Sequence, residues 1–229
     1  MNAITHAIKP FGEHGFIATL TGGGMVDMAL AANAAADALR AGQGVIDAVA
    51  GIDSLVIRFD PAKLKPDAAA HLLEAALNEP QRKQPALATK IEIPVCYGGV
   101  HGPDFDALCS RLSMSAADLI DLHAGAHYRV LAVGFAPGFA YLGPLPEGLH
   151  TERLATPRAR VLAGSVGIAG AMTGVYPLET PGGWPLIGRT PVKLFDPAQE
   201  NSFRFAAGAE VRFTPIDASQ FDRLASAAR

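Results

Sequence analysis

Between Lys90 and Lys193 the chain has no lysine, and its fixed cations there are Arg111, Arg129, Arg153, Arg158, Arg160 and Arg189. A guanidinium presents a planar fork of donors that suits a carboxylate or a phosphate better than a point-like ammonium does. Arg158 and Arg189 lie inside glycine- and proline-rich stretches, where backbone N–H groups can also approach a ligand. Two readings are open for them: ligand anchors, or pins that hold loops through carbonyls or Glu179. The loops themselves are "GFAPGFAYLG" (134–143), "GSVGIAGAMTGVYP" (164–177) and "TPGGWPLIGRTP" (180–191). Their mixture of glycine, proline and aromatics suits neither a helix nor a regular strand.

Other residue patterns suggest chemistry and fall short of it. "AGSVG" around Ser165 resembles a nucleophile elbow, but an elbow needs a strand before the serine and a helix after it. The sequence that follows, "VGIAGAMTG", is too rich in glycine for that helix. No Gly-Lys-Ser/Thr run follows either, so the stretch is not a phosphate loop. His123 and His127 are four apart, a metal-edge spacing on a helix. Gly125 between them is expected to end the helix, which leaves a structural or solvent role. Cys96 and Cys109 are too few for a disulfide framework or a zinc cluster, and no metal is expected. "DFDALCSRL" and "SAADLIDLH" mimic a helix-turn-helix, with Ser115 and Asp118 placed as a capping box. A second helix bearing Asp118 and Asp121 would repel phosphates, so the pair is read as packing helices.

The elements that must position these residues fall into two textures. Residues 1 to about 88 alternate strand and helix: "GFIAT", a helix from Met28 to Arg40, a strand Val45–Ala50, and "SLVIRF" with Leu55, Ile57 and Phe59 on one face. Asp67 is placed as the cap of a helix carrying Leu72, Leu73, Ala76 and Leu77, and "KIEIPV" supplies a last strand. That order, β-α-β-β-α-β, predicts a ferredoxin-like sandwich. "NEPQRKQPALAT" (78–89) reads as a linker. Beyond it, short apolar runs such as "YRVLAVGF" and "VKLFDP", punctuated by glycine and proline, predict a barrel or sandwich. The fold class is therefore α+β, divided at 1–88 and 89–229. Of the 229 residues 49% are hydrophobic and 18% charged, with a formal charge of −3. This excludes nucleic acid or an anionic membrane as the main partner, and no apolar run reaches membrane-span length. A reducing cytoplasm fits this composition.

Taken together, "YGGVHGPD" (97–104), "GFAPGFAYLG", "TPRARVLAGSVGIAGAMTGVYP" (156–177) and "PGGWPLIGRTP" (181–191) resemble the allophanate hydrolase subunit 1 family. Its members include the B-type subunit of bacterial ATP-dependent 5-oxoprolinase, a sporulation kinase-A inhibitor, and subdomains C and D of the carboxyltransferase region of urea carboxylase. The resemblance is strong over 97–197 and thin over 1–90, where "GIDSLVIRFDP" matches a strand ending in Asp-Pro. It implies a small α/β domain followed by a cyclophilin-like β-barrel. It also implies a subunit that is inactive alone and works with a subunit 2-like partner (the C-type subunit of 5-oxoprolinase) and a third subunit. The implied reaction is ATP-driven opening of 5-oxoproline, a small acidic lactam, to L-glutamate, with the ATP-holding subunit not identified by this sequence. Allophanate or another amide is the competing substrate. A regulatory protein that inhibits a sensor histidine kinase is the alternative from another class.

Under this resemblance Arg158, Arg189, Thr173 and Tyr176 are expected to converge with the 134–143 loop around one concavity and, with Ser165, to bind substrate. Phe135, Phe139, Tyr141 and Trp184 are expected to expose an apolar wall toward ligand or partner. Where the family pattern has a glycine and a glutamine before "TG", this chain has Ala171 and Met172, and Glu152 and Leu162 stand where prolines are usual. A methionine cannot replace the hydrogen bonds of a glutamine amide, which bears on the substrate more than on the fold.

Overall fold

A computed structural model describes residues 3–79, 90–199 and 202–227. The chain divides into two compact units, Met1–Ala88 and Thr89–Arg229. The linker expected over 78–89 lies, beyond Glu79, outside the described residues.

In the first unit the order is β1 (Thr5–Pro10), β2 (Gly15–Thr21), α1 (Met25–Arg40), β3 (Val45–Ala50), β4 (Ser54–Phe59) and α2 (Pro66–Asn78). The strands form one antiparallel sheet in the order β1-β2-β4-β3. Leu55 and Ile57 are fully buried against Ala32, Ala36 and Leu39 of α1 and Leu73 of α2. Small alanines on α1 let the helix lie close to the sheet, so apolar area is buried without long side chains.

Two details differ from expectation. The sandwich begins with the polar strand β1, while "KIEIPV" belongs to the second unit. β1 sits at the sheet edge, where polar residues and a terminal proline are tolerated, so it lacks an alternating apolar signature. Asp67 lies in the first turn of α2, behind a backbone N-cap at Lys65 and with Pro66 opening the helix.

In the second unit come β5 (Lys90–Tyr97), α3 (Phe105–Leu112), α4 (Ala116–Gly125), β6 (Tyr128–Val133), β7 (Ala140–Gly143), β8 (Arg158–Val161) and β9 (Ser165–Ala169). They are followed by β10 (Met172–Val175), β11 (Thr180–Gly182), β12 (Leu186–Arg189), β13 (Glu210–Pro215) and α5 (Ala218–Ala227). Seven strands close a barrel in the order β10-β7-β6-β13-β5-β12-β9, and β8 with β11 forms a separate two-stranded sheet. All barrel pairs are antiparallel except β5 with β13. Closure removes the free edges that so many short, glycine-rich strands would otherwise present. The interior is filled by Ile93, Val95, Val130, Leu142, Ile168 and Val211, each at or below 1% exposure. The helix α3 lies against β12, α4 against β13 and α5 against β5, and Phe105, Leu108 and Leu119 of α3 and α4 join the same core as the barrel interior. The capping box forms as the sequence indicates, with Ser115 and Asp118 satisfying each other's backbone N–H groups. No helix among the described residues is long and apolar enough to cross a membrane.

Candidate functional site

The three glycine-rich passages meet at an aromatic cluster on the second unit. Phe139 is its hub, with ring centroids 5.0 Å from Tyr141, 5.3 Å from Tyr176, 5.4 Å from Phe135 and 5.8 Å from Trp184, all edge-on. Such geometry aligns the positive edge of one ring with the negative face of the next. The 134–139 turn is closed on itself: Gly134 N–H donates to the Phe139 carbonyl and Phe139 N–H to the Ala136 carbonyl, each at 3.0 Å. Glycine at 182 lets the other passage approach, since a β-carbon there would stand 2.5 Å from the Tyr176 hydroxyl.

The expected exposed wall of four aromatics is corrected by this packing. Phe139 is 2% and Trp184 4% exposed, Tyr141 is half-buried, and Phe135 alone stands out at 62%. Phe135 holds a left-handed backbone conformation, φ +74°, which few non-glycine residues adopt.

The five expected substrate contacts have different surroundings. Arg158 and Tyr176 adjoin the aromatic cluster. Arg158 Nη2 pairs with Asp104 Oδ1 at 2.5 Å, and Asp104 Oδ2 accepts the Leu186 N–H at 2.6 Å. Arg158 Nη1 is buried without a hydrogen-bond partner among the described residues. Tyr176 is 2% exposed; burial raises its phenol pKa, and hydrogen bonding from the Trp184 backbone and the nearby Arg153 and Arg158 charges oppose that rise. Arg189 is the register partner of Ser165 on β9, and its side chain donates through Nε to the Ala163 carbonyl at 2.8 Å with its guanidinium 5.9 Å from the Phe221 ring. Among the described residues Arg158 and Arg189 share no partner, and each pins a loop. Ser165 is 4% exposed and opens strand β9 instead of preceding a helix, so no nucleophile elbow forms.

Thr173 points into the barrel and is fully buried. Its hydroxyl donates to the Gly167 carbonyl at 3.0 Å, so its oxygen must accept from His123 Nε2, 2.9 Å away. That places the histidine proton on Nε2, and Nδ1 accepts from the Tyr97 hydroxyl at 2.7 Å. The Tyr128 hydroxyl donates to the His123 carbonyl at 2.8 Å. Burial lowers the His123 pKa to about 3 and pushes the Tyr97 phenol well above its usual value. His123 thus ties α4 to β5 and β10 as a neutral ring inside the core. Among the described residues no group of three or more His, Cys, Asp or Glu is arranged to hold a metal.

Sequence reasoning passes over a concavity of about 580 Å³ beside the cluster, between His150–Arg153 and Ala169–Met172, with Trp184 at its base. Arg153 lacks glycine or proline neighbours, so it does not share the signal that picks out Arg158 and Arg189. The usable signal is the set of departures from the family pattern, because Glu152, Ala171 and Met172 all line this concavity.

The Asp104–Arg158 contact supports a stability prediction. The carboxylate serves two partly buried donors, with side-chain exposures of 17% and 29% for Asp104 and Arg158. Asp104→Ala is expected to cost about 3 kcal/mol by leaving Arg158 and the Leu186 N–H without an acceptor. Thermal or urea unfolding measures it; a change below about 1 kcal/mol would show that water replaces the carboxylate.

A family model described as "Carboxyltransferase domain, subdomain C and D" matches residues 6–205. Over 176 residues the chain is 46% identical to the B-type subunit of 5-oxoprolinase from Escherichia coli O157:H7, covering 75% of this chain and 78% of that one. It is 45% identical over 131 residues to the B-type subunit of 5-oxoprolinase from Bacillus subtilis (strain 168), covering 57% of this chain and 55% of that one. Among solved structures, the TTHA0988 crystal structure matches at TM-score 0.76 and 38% identity, covering 89% of this chain and 40% of that one. The Kluyveromyces lactis urea amidolyase matches at TM-score 0.78 and 16% identity, covering 97% of this chain and 15% of that one, a likeness of fold alone. The chain therefore spans most of one curated relative, about half of another, and less than half of these longer solved chains.

Proposed function

Because the chain belongs to the carboxyltransferase domain, subdomain C and D family, we propose that it is the B-type subunit of an ATP-dependent 5-oxoprolinase. In this reading it is a non-autonomous part of a complex that opens 5-oxo-L-proline to L-glutamate with a C-type partner and a third subunit. The observation that carries the reading is the 46% identity, over three quarters of the chain, to a protein of that name. The site is compatible with it. Backbone-pinned loops, arginines and an aromatic cluster can bind and orient a small acidic lactam. The described residues offer no serine, cysteine or histidine set as a nucleophile with its base: Ser165 is buried on a strand, and both His123 nitrogens are hydrogen-bonded inside the barrel. A missing catalytic group is then a partner's to supply.

ATP is assigned to the complex. This chain has no Gly-Lys-Ser/Thr loop, and no step is routed through a nucleotide on its residues. What the chain contributes is binding and orientation of the substrate, which alone can lower a barrier by several kcal/mol when the bound geometry is reactive.

The test is co-expression with the C-type partner and the third subunit, followed by a glutamate assay dependent on both ATP and 5-oxo-L-proline. Activity is expected from the complex and not from the isolated chain. Robust turnover by the chain alone, or none from a well-formed complex, overturns the reading. Tight binding of the chain to a sensor histidine kinase, with no partner subunit required, would replace it with the regulatory alternative.

A further inference from the structure

The segment His150–Arg153 is strapped across the turn between β9 and β10. Thr151 and Gly170 form an isolated bridge, with Gly170 N–H donating to the Thr151 carbonyl at 2.6 Å. Arg111 donates to the Thr151 hydroxyl, and Leu154 N–H to the Gly183 carbonyl at 2.7 Å. On the opposite wall Leu145 N–H holds the Ala171 carbonyl at 2.8 Å. The concavity of about 580 Å³ between them is therefore built by backbone bonds, and its volume suits a small organic ligand. Its base is apolar: Trp184, packed edge-on against Phe139 and Tyr141, with buried Ala169 and half-buried Met172 beside it. Its rim carries two opposite charges, Glu152 and Arg153.

Arg153 is the unusual member. It is exposed, and among the described residues it has no hydrogen-bond or ion-pair partner, whereas Arg158 has Asp104, Arg129 has Glu210 and Arg160 has Glu179. Arg153 lines the concavity beside Glu152, near enough to the Tyr176 phenol for its charge to oppose the rise that burial causes there. A guanidinium fork left open on the rim of a concavity with an apolar base is a receptor for a carboxylate on a compact apolar body. Glu152 beside it is an acceptor for an N–H on the same molecule.

The geometry points to this concavity as a binding site for a small cyclic amide carboxylate. The carboxylate lies on Arg153, the ring against Trp184 and Met172, and the ring N–H faces Glu152. The cyclic amide, and 5-oxo-L-proline as its name, rest on the proposed function; the carboxylate and the N–H on a compact apolar body rest on the lining residues.

Trp184 is the chain's sole tryptophan, so its fluorescence reports on the base of the site directly. Titration of the full chain with 5-oxo-L-proline is expected to give a saturable change. The apparent affinity should fall about tenfold or more with Arg153→Gln, in line with loss of a charged hydrogen bond. 2-Pyrrolidinone, which has the ring without the carboxylate, should bind at least as weakly as that variant binds 5-oxo-L-proline. Met172→Phe, which fills the concavity and leaves the cation in place, should weaken binding comparably. Circular dichroism of both variants checks that the fold is kept. Absence of a saturable change, or wild-type affinity in Arg153→Gln, overturns the site. In the assembled complex, Arg153→Gln should raise KM for 5-oxo-L-proline by about tenfold. An active complex with unchanged KM sinks the site and leaves the function standing. Arg153-dependent binding by a chain whose complexes never open 5-oxo-L-proline does the reverse.

Discussion

Lowering the pH from about 6.5 to about 3 is expected to remove roughly 5 kcal/mol of stability through His123 alone. The ring is fully buried, and burial holds its pKa near 3, against an ordinary value of 6.5. The folded value lies below the unfolded one, so the unfolded chain takes up a proton that the folded chain refuses. The contribution is complete above pH 6.5 and is lost progressively as the pH falls toward 3. Within that window the slope approaches about 1.4 kcal/mol per pH unit. Urea unfolding followed by Trp184 fluorescence, repeated between pH 7.5 and 4, measures it on the barrel. His123→Phe removes the titration and should flatten the slope. It should also lower stability at neutral pH, because Tyr97 and Thr173 each lose a buried partner. Equal pH slopes for the two proteins would show that other groups carry the acid sensitivity.

Gly164→Ala is expected to be the most damaging single methyl group in the barrel. Gly164 has φ +84°, and an added β-carbon would stand 2.2 Å from the Thr190 carbonyl oxygen. That oxygen belongs to backbone held in place: Thr190 N–H donates to the Gly164 carbonyl at 2.9 Å, and Gly164 N–H to the Tyr176 carbonyl at 2.7 Å. The left-handed conformation costs about 1–2 kcal/mol for an L-residue, and displacing hydrogen-bonded backbone adds more, so a loss of about 3 kcal/mol or more is expected. Gly134→Ala, with open space around the new carbon, is the control and should shift stability by less than about 1 kcal/mol. Comparable melting temperatures for the two variants would mean that the loop relaxes around the clash.

What the sequence reveals depends on whether the signal is local. The capping box at Ser115 needs only four residues and forms as they indicate. The change from alternating elements to glycine-punctuated strands follows from composition over tens of residues. By contrast, "KIEIPV" has an alternation that fits either sheet, and only its distant partners β12 and β13 decide which one takes it. Thr173 lies on a four-residue strand, "MTGV", too short for alternation to tell the inner face from the outer one. Arginine is the extreme case, because its reach lets the same residue pin a carbonyl or meet a ligand. The glycine-rich surroundings of Arg158 and Arg189 signal ordered loops in both instances. Arg153 has no such signal, and among the described residues it has no hydrogen-bond or ion-pair partner.

The parallel pairing of β5 with β13 also sets a timetable for synthesis. These neighbouring staves are separated by roughly 110 residues of chain, on the order of ten seconds of ribosomal elongation. Until β13 emerges, β5 and β6 have no strand between them and the nascent barrel is an open ribbon with two unmet edges. The first unit can be complete well before that, since its sheet pairs only strands before residue 60. Nascent-chain arrest before residue 210 should therefore leave a folded first unit attached to a sticky, unclosed sheet. That is the interval in which a chaperone, or an early-arriving subunit, would find this protein most receptive.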